Sequence, residues 1–158
     1  MSDEQKPKAS AGKYLTFQLA DEEYGLPVLK VREIIKSMDV TSVPQVPSHV
    51  KGVINLRGRI IPVVDLRDRF GMPEAEATKE TRIVVAESSS TRVGLIVDSV
   101  SEVLLLPLDS VEPTPEVAAG KDAEYLRGIA KLGENLVLLL ELDGLFGHDE
   151  RNALAGAA

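Results

Sequence analysis

GVINLRGRIIPVVDLRDRFG, residues 52–71, and GIAKLGENLVLLLELDGLFG, residues 128–147, carry one pattern twice, aligned without a gap at an offset of 76. Gly52, Leu56, Leu66, Phe70 and Gly71 recur as Gly128, Leu132, Leu142, Phe146 and Gly147, while Ile60, Val64 and Asp65 become Leu136, Leu140 and Glu141. In the first copy VINL (53–56) and IIPVV (60–64) flank Arg57-Gly58-Arg59, which predicts a short hairpin with glycine available for a positive φ. In the second copy Gly133-Glu134-Asn135 makes the turn before LVLLLEL (136–142). Asp65 is placed to cap a brief helix in which Leu66 and Phe70 meet at i, i+4 and which Gly71 stops. A second block precedes each hairpin: YGLPVLKVREI (24–34) lies over VGLIVDSVSEV (93–103) at an offset of 69. Gly25, Leu26, Val28, Val31 and Glu33 recur there as Gly94, Leu95, Val97, Val100 and Glu102. A seven-residue insertion before the second hairpin accounts for the change of offset. Convergent strand patterning is the alternative, but both blocks keep their order, which favours an internal duplication. The pattern therefore predicts two similar β-subdomains of about 65 residues, approximately 14–81 and 82–147, each marginal alone and packed on a shared core. Exchange of strands between them is left open.

Outward from these blocks, residues 1–13 are polar and read as a disordered arm, and residues 148–158 as a tail. Order is expected from Tyr14, where Leu15, Phe17 and Leu19 alternate with Thr16 and Gln18. Asp21-Glu22-Glu23 turns the chain into a second strand, Tyr24–Val28, with Pro27 suited to an edge. Val28, Val31 and Ile35 have helical spacing and suggest one or two turns of helix. VTSVPQVP (40–47) reads as an extended connection and MPEAEATKET (72–81) as an internal linker. RIVVAE (82–87) and RVGLIV (92–97) flank a Ser-rich turn, and EVLLLP (102–107) is a further strand before a Pro-containing loop. Short strands at this spacing indicate an all-β protein with minor helix.

The 158 residues carry a formal charge of −7 and no cysteine. That excludes disulfides, thiolate nucleophiles and Cys-ligated metals. Acidity and the small count of aromatics, three Phe and three Tyr, argue against nucleic-acid binding by basic or stacking surfaces. No apolar run reaches membrane-span length and the N-terminus lacks a secretory core, so a cytoplasmic protein without direct membrane insertion is expected. No phosphate-binding glycine loop is present, and His49 and His148 have no partner at metal-ligand spacing, so neither cofactor nor metal is expected. Asp65 and Glu141 occupy equivalent repeat positions and could be the two carboxylates of a two-lobed hydrolase. Each leads into a short helix, however, and capping is the preferred role. The repeat is least symmetric at Asn55/Lys131 and Arg57/Gly133, so the first half carries something extra there, whereas Glu33 persists as Glu102.

YGLPVLKVREI, VPQVPSHVKGVINLRGRIIPVVDLRDRFG, VGLIVDSVSEVL and YLRGIAKLGENLVLLLEL together resemble the chemotaxis coupling proteins of the CheW family, from about Tyr14 to Gly147. The resemblance implies a single domain of two five-stranded SH3-like β-barrels around a common hydrophobic core, with short helices. It also implies a non-enzymatic adaptor that joins the cytoplasmic tips of methyl-accepting chemoreceptors to the regulatory domain of the histidine kinase CheA, recruited to receptor arrays at the membrane. Receptor-facing positions fall on Val31, Glu33, Gly52 and Arg57, with Asn55 and Leu56 adjoining, and Glu116 and Val117 resemble a kinase contact. Glu33 and Arg57 are expected to pair and hold the hairpin. A similar adaptor of another chemosensory or twitching-motility pathway fits the same residues.

Overall fold

The sheets are assembled from strands that cross between the two sequence repeats. The protein's computed structural model describes residues 12–46, 49–88, 91–107, 110–112 and 125–145. The arm before residue 12, His148, the C-terminal tail, Glu116 and Val117 lie outside them. The strands are β1 (Gly12–Leu19), β2 (Glu22–Pro27), β3 (Val31–Lys36), β4 (Val50–Leu56), β5 (Arg59–Asp65), β6 (Arg82–Ser88), β7 (Thr91–Val97), β8 (Ser99–Leu106), β9 (Val111–Glu112), β10 (Leu126–Leu132) and β11 (Asn135–Leu140). One α-helix, α1 (Leu66–Arg69), follows β5. The first sheet has the order β8-β1-β2-β11-β10-β9 and the second β3-β6-β7-β5-β4.

With the two-residue β9 set aside, these are one order read through the duplication: β3 stands for β8, β6 for β1, β7 for β2, β5 for β11 and β4 for β10. The register agrees residue by residue. Val63 pairs with Gly94 in a parallel ladder, and Leu139 pairs with Gly25 in the other. A bulge separates Val50 from Gly52, and its counterpart separates Leu126 from Gly128. Another falls between Val31 and Glu33, matched between Val100 and Glu102. The exchange is reciprocal: β1 and β2 pair with β8 and β11, while β3 and β5 pair with β6 and β7. The chain crosses between sheets in the 3-10 turn Val28–Lys30 and at Asp98, between β7 and β8.

Period-2 alternation sorts the side chains into three cores. Ile54, Ile61, Val63, Ile83 and Val85 fill the second sheet, with Ile35, Leu56 and Ile96 packed on them, so all five of its strands surround one interior. Tyr14, Leu106, Val111, Ala130, Val137 and Leu139 fill the first. The opposite faces meet in the largest cluster, where Leu15, Phe17, Leu26 and Leu140 of the first sheet pack against Val50, Val64, Val84 and Leu95 of the second. Val63 and Val64 thus point into different cores, as do Leu139 and Leu140. This is the shared core the duplication predicts.

Several expectations change in detail. β1 begins at Gly12, not Tyr14, because Gly12 and Lys13 pair with Leu106 and Leu105. Thr16 does not face solvent; it is fully buried, its Oγ1 donating to the Glu102 carbonyl at 2.9 Å. The helix suggested over Val28–Ile35 shrinks to one 3-10 turn, and Val31–Lys36 is a strand. β-Branched Val31, Ile34 and Ile35 fit either period, and pairing with β6 decides for the strand.

α1 anchors one repeat to the other. The Asp65 carboxylate accepts from Arg67 N at 3.0 Å, a cap worth about 1 kcal/mol. Leu66 enters the shared core. Phe70 stacks on Tyr24 at 5.4 Å and packs tilted against Tyr125 at 4.7 Å, and Tyr24 stacks on Phe17 at 6.0 Å. Arg69 donates to the Leu145 carbonyl at 2.7 Å and lies over the Tyr125 ring. Burial, then Tyr125 and Glu22, push the Tyr24 hydroxyl up to about 12, so it stays neutral. Arg67 grips Asp98 through two bonds of 2.8 and 2.6 Å, and the same carboxylate accepts from Ala20 N at 2.8 Å in the β1–β2 turn. Arg67 holds the Asp98 carboxyl below the usual carboxylate range.

Candidate functional site

The β4–β5 hairpin turns on Arg57 and Gly58, with φ of +53° and +85°. Positive φ at both central positions is the two-residue turn whose twist suits paired strands. Asn55 fastens it, its Oδ1 accepting from Gly58 N at 2.9 Å. Arg57 is the unusual member, because a side chain in the left-handed region costs about 1 kcal/mol. At the equivalent turn Gly133 has a φ of +64° without that cost. A long cationic side chain is therefore held at the first tip at the expense of the backbone.

The Arg57 guanidinium pairs with Glu33 on β3. β3 and β4 are the two outer strands of the second sheet, so this pair spans its seam. Arg57 is 69% exposed and Glu33 29%, which limits the pair to at most about 1 kcal/mol. At the equivalent positions the roles differ. Glu102 bonds through its backbone to Thr16. Lys131, the counterpart of Asn55, pairs with Glu112 of β9 at 2.7 Å.

Gly52 is needed by the fold. Its φ is +147°, and a Cβ there would lie 1.9 Å from the Thr41 carbonyl oxygen. Thr41 and Val53 exchange backbone bonds of 2.9 and 2.8 Å, clamping the connection to β4 at Thr41. Val31 is half-buried against the shared core, and Leu56 caps the interior of the second sheet. The structure thus gathers Glu33, Asn55, Leu56 and Arg57 around one hairpin tip, while Val31 and Gly52 support the strands beneath.

Sequence reasoning missed the neighbouring cations. Leu56, Arg57, Arg59, Ile61 and Arg92 line a depression of about 220 Å³. Glu87 binds Arg32 at 2.8 Å and Arg92 at 3.3 Å, and Arg32, then Arg92, lower its carboxyl pKa. Arg59 and Arg92 flank turns, where isolated charges are commonplace, so only their convergence at one end of the sheet singles them out.

A cleft of about 430 Å³ lies at the Val28–Lys30 crossover, lined by Lys13, Tyr14, Val28, Leu29, Lys30 and Arg127 among others, with Leu29 91% exposed. The hydrolase alternative finds no shared carboxylate site. Asp65 caps α1 at the end of β5 in the second sheet, and Glu141 follows β11 of the first and pairs with Arg127 at 3.0 Å. No group of three or more His, Asp or Glu suited to a metal occurs among the described residues. No helix among them is long and apolar enough to cross a membrane.

The sequence matches the family profile described as "CheW-like domain" over residues 13–150. It is 38% identical to the chemotaxis protein CheW of Rhizobium meliloti over 139 residues, 88% of this chain and 90% of that one. It is 29% identical to the protein FrzA of Myxococcus xanthus over 122 residues, 77% and 76% of the two chains. The crystal structure of the scaffolding protein TtCheW from Thermoanaerobacter tengcongensis is similar with a TM-score of 0.81 and 38% identity, covering 89% of this chain and 95% of that one.

Proposed function

The chain belongs to the CheW-like family of chemotaxis scaffolds, and from that premise we propose that it couples chemoreceptor cytoplasmic tips to the histidine kinase CheA without catalysing a reaction. In this reading residues 14–147 act as one domain, cytoplasmic and recruited to receptor arrays. The observation that carries it is Arg57, an exposed cation at a hairpin tip in a backbone conformation that costs a side chain stability, where the equivalent tip has Gly133. Strain kept at a solvent-facing residue supports a role outside the fold. Val31 and Leu56 offer aliphatic contact to a docking helix, and Glu33, Asn55 and Arg57 fix its register. Glu116 and Val117 serve the kinase side of the same reading.

Co-sedimentation with a receptor signalling fragment and CheA, scored for kinase activity, tests it. Arg57→Glu is expected to fold normally and to abolish receptor-stimulated activity, and full stimulation by the folded variant would remove Arg57 from the interface. The similarity to FrzA supports a second reading, the same coupling role in another chemosensory pathway, which exchange of receptor fragments would separate.

A further inference from the structure

Alternation and strand direction bring one set of side chains to the same end of the second sheet. β3 begins where β6 ends, β7 begins beside it, and β5 runs parallel to β7. Glu33, Arg57, Arg59, Glu87 and Arg92 therefore ring the mouth of the interior filled by Ile54, Ile61 and Ile83. Three arginines face two glutamates there, a local excess of positive charge in a chain of net −7. The arginines are not all spent on internal pairs. Arg59 is exposed and has no ion pair among the described residues. Arg92 reaches Glu87 only at 3.3 Å, while Arg32 engages the same carboxylate at 2.8 Å. Leu56 and Ile61 give the depression between Arg57, Arg59 and Arg92 an apolar floor.

The equivalent end of the first sheet has none of this. Through the duplication Arg57, Arg59 and Arg92 correspond to Gly133, Asn135 and Glu23, and Glu33 and Glu87 to Glu102 and Gln18. The same backbone thus ends in a cationic mouth on one side and an acidic one on the other, so the arginines are not a requirement of the architecture.

We propose that the mouth of the second sheet docks an acidic face of the partner's helix, with Arg59 and Arg92 acting beside Arg57 as the residues that select for carboxylates. The inference rests on the proposed function for the helix and on the three arginines for its acidity. A carboxylate entering the depression meets guanidinium donors over an apolar floor, where charge-assisted bonds are stronger than on open surface.

The test uses the full chain. Arg59→Gln with Arg92→Gln is expected to weaken binding of a receptor signalling fragment about 10-fold at low salt and to flatten its salt dependence, while Glu23→Gln at the other mouth changes neither. Unchanged affinity and salt slope in the double variant overturn the inference and leave the proposed function standing. A second arm titrates the protein with an amphipathic helical peptide bearing glutamates at i, i+4, followed by amide NMR shifts. Shifts at Leu56, Arg59 and Arg92 but not at Leu132 and Asn135 support the mouth even if no receptor fragment binds, an outcome that would sink the proposed function alone. Shifts reproduced by inorganic phosphate or a single-stranded oligonucleotide overturn the selection for an acidic helix.

Discussion

The β4–β5 and β10–β11 hairpins share length, bulge and a positive-φ turn, yet one tip carries Arg57 paired to Glu33 and the other Gly133. What the copies share is what the fold requires: a bulge ending at a glycine, leucine plugs at Leu56 and Leu132, and the parallel pairing to β7 or β2. What differs has been free to acquire another use. The crossovers differ in the same way. Asp98 is gripped by Arg67 and Ala20 N, while its counterpart Leu29 stands 91% exposed. An internal duplication thus supplies its own control: a symmetric residue is accounted for by the architecture, and an asymmetric one such as Arg57 needs a reason outside it.

The most damaging way to break the comparison is at a position the fold demands. Gly52→Ala would drive a Cβ into the Thr41 carbonyl and should cost at least about 3 kcal/mol in urea denaturation. Gly58→Ala, with open space around it, should cost only about 1 kcal/mol. Equal losses would show that Gly52 is not a steric necessity. Next, Asp98→Asn should lose about 2 kcal/mol at pH 7 by weakening the Arg67 bonds. Because the folded Asp98 carboxyl sits below its ordinary value, its contribution is complete above about pH 5 and disappears as pH falls through the folded pKa. Wild type and variant should therefore converge in acid, and a gap that persists there would mean packing rather than charge.

Exchanging the tips gives a smaller effect of opposite signs. Arg57→Gly should be neutral or stabilising by up to about 1 kcal/mol, and Gly133→Arg should destabilise by about 1 kcal/mol. A stability loss in Arg57→Gly would assign the arginine to the fold after all. Smallest of all, Glu33→Gln should cost under about 1 kcal/mol, a difference erased by 1 M salt. A larger, salt-insensitive loss would make the seam pair structural.

Much of this was legible from residues alone. The offset of 76 located both hairpins, the Asp65 cap, the shared core and the asymmetric tip, because turn chemistry and apolar alternation are local. The reciprocal exchange of strands was not. The faces of β1 and β2 are read from Leu15, Phe17 and Leu26, but alternation names the buried face and not the neighbouring strand. Val28, Val31 and Ile35 satisfied a helical period that only pairing with Ala86 and Ile83 overrules. The Arg67–Asp98 grip and the gathering of Arg59 with Arg92 join residues far apart in the chain, and nothing in their immediate sequence signals a partner. The six aromatics counted against stacking ligands, and four of them instead pack ring against ring, from Phe17 through Tyr24 and Phe70 to Tyr125.

The reciprocal exchange has a consequence for synthesis. The β1–β2 hairpin leaves the ribosome first, but its neighbours are β8, beginning at Ser99, and β11, ending at Leu140. At roughly 5–20 residues per second the hairpin waits about 4–16 s for β8 with both edges open, and about 6–23 s before β11 closes the second, whereas β3 to β7 are consecutive and can close as soon as Val97 emerges. The nascent chain therefore folds its second sheet first, and the N-terminal hairpin is the segment for which a chaperone has the longest opportunity to matter.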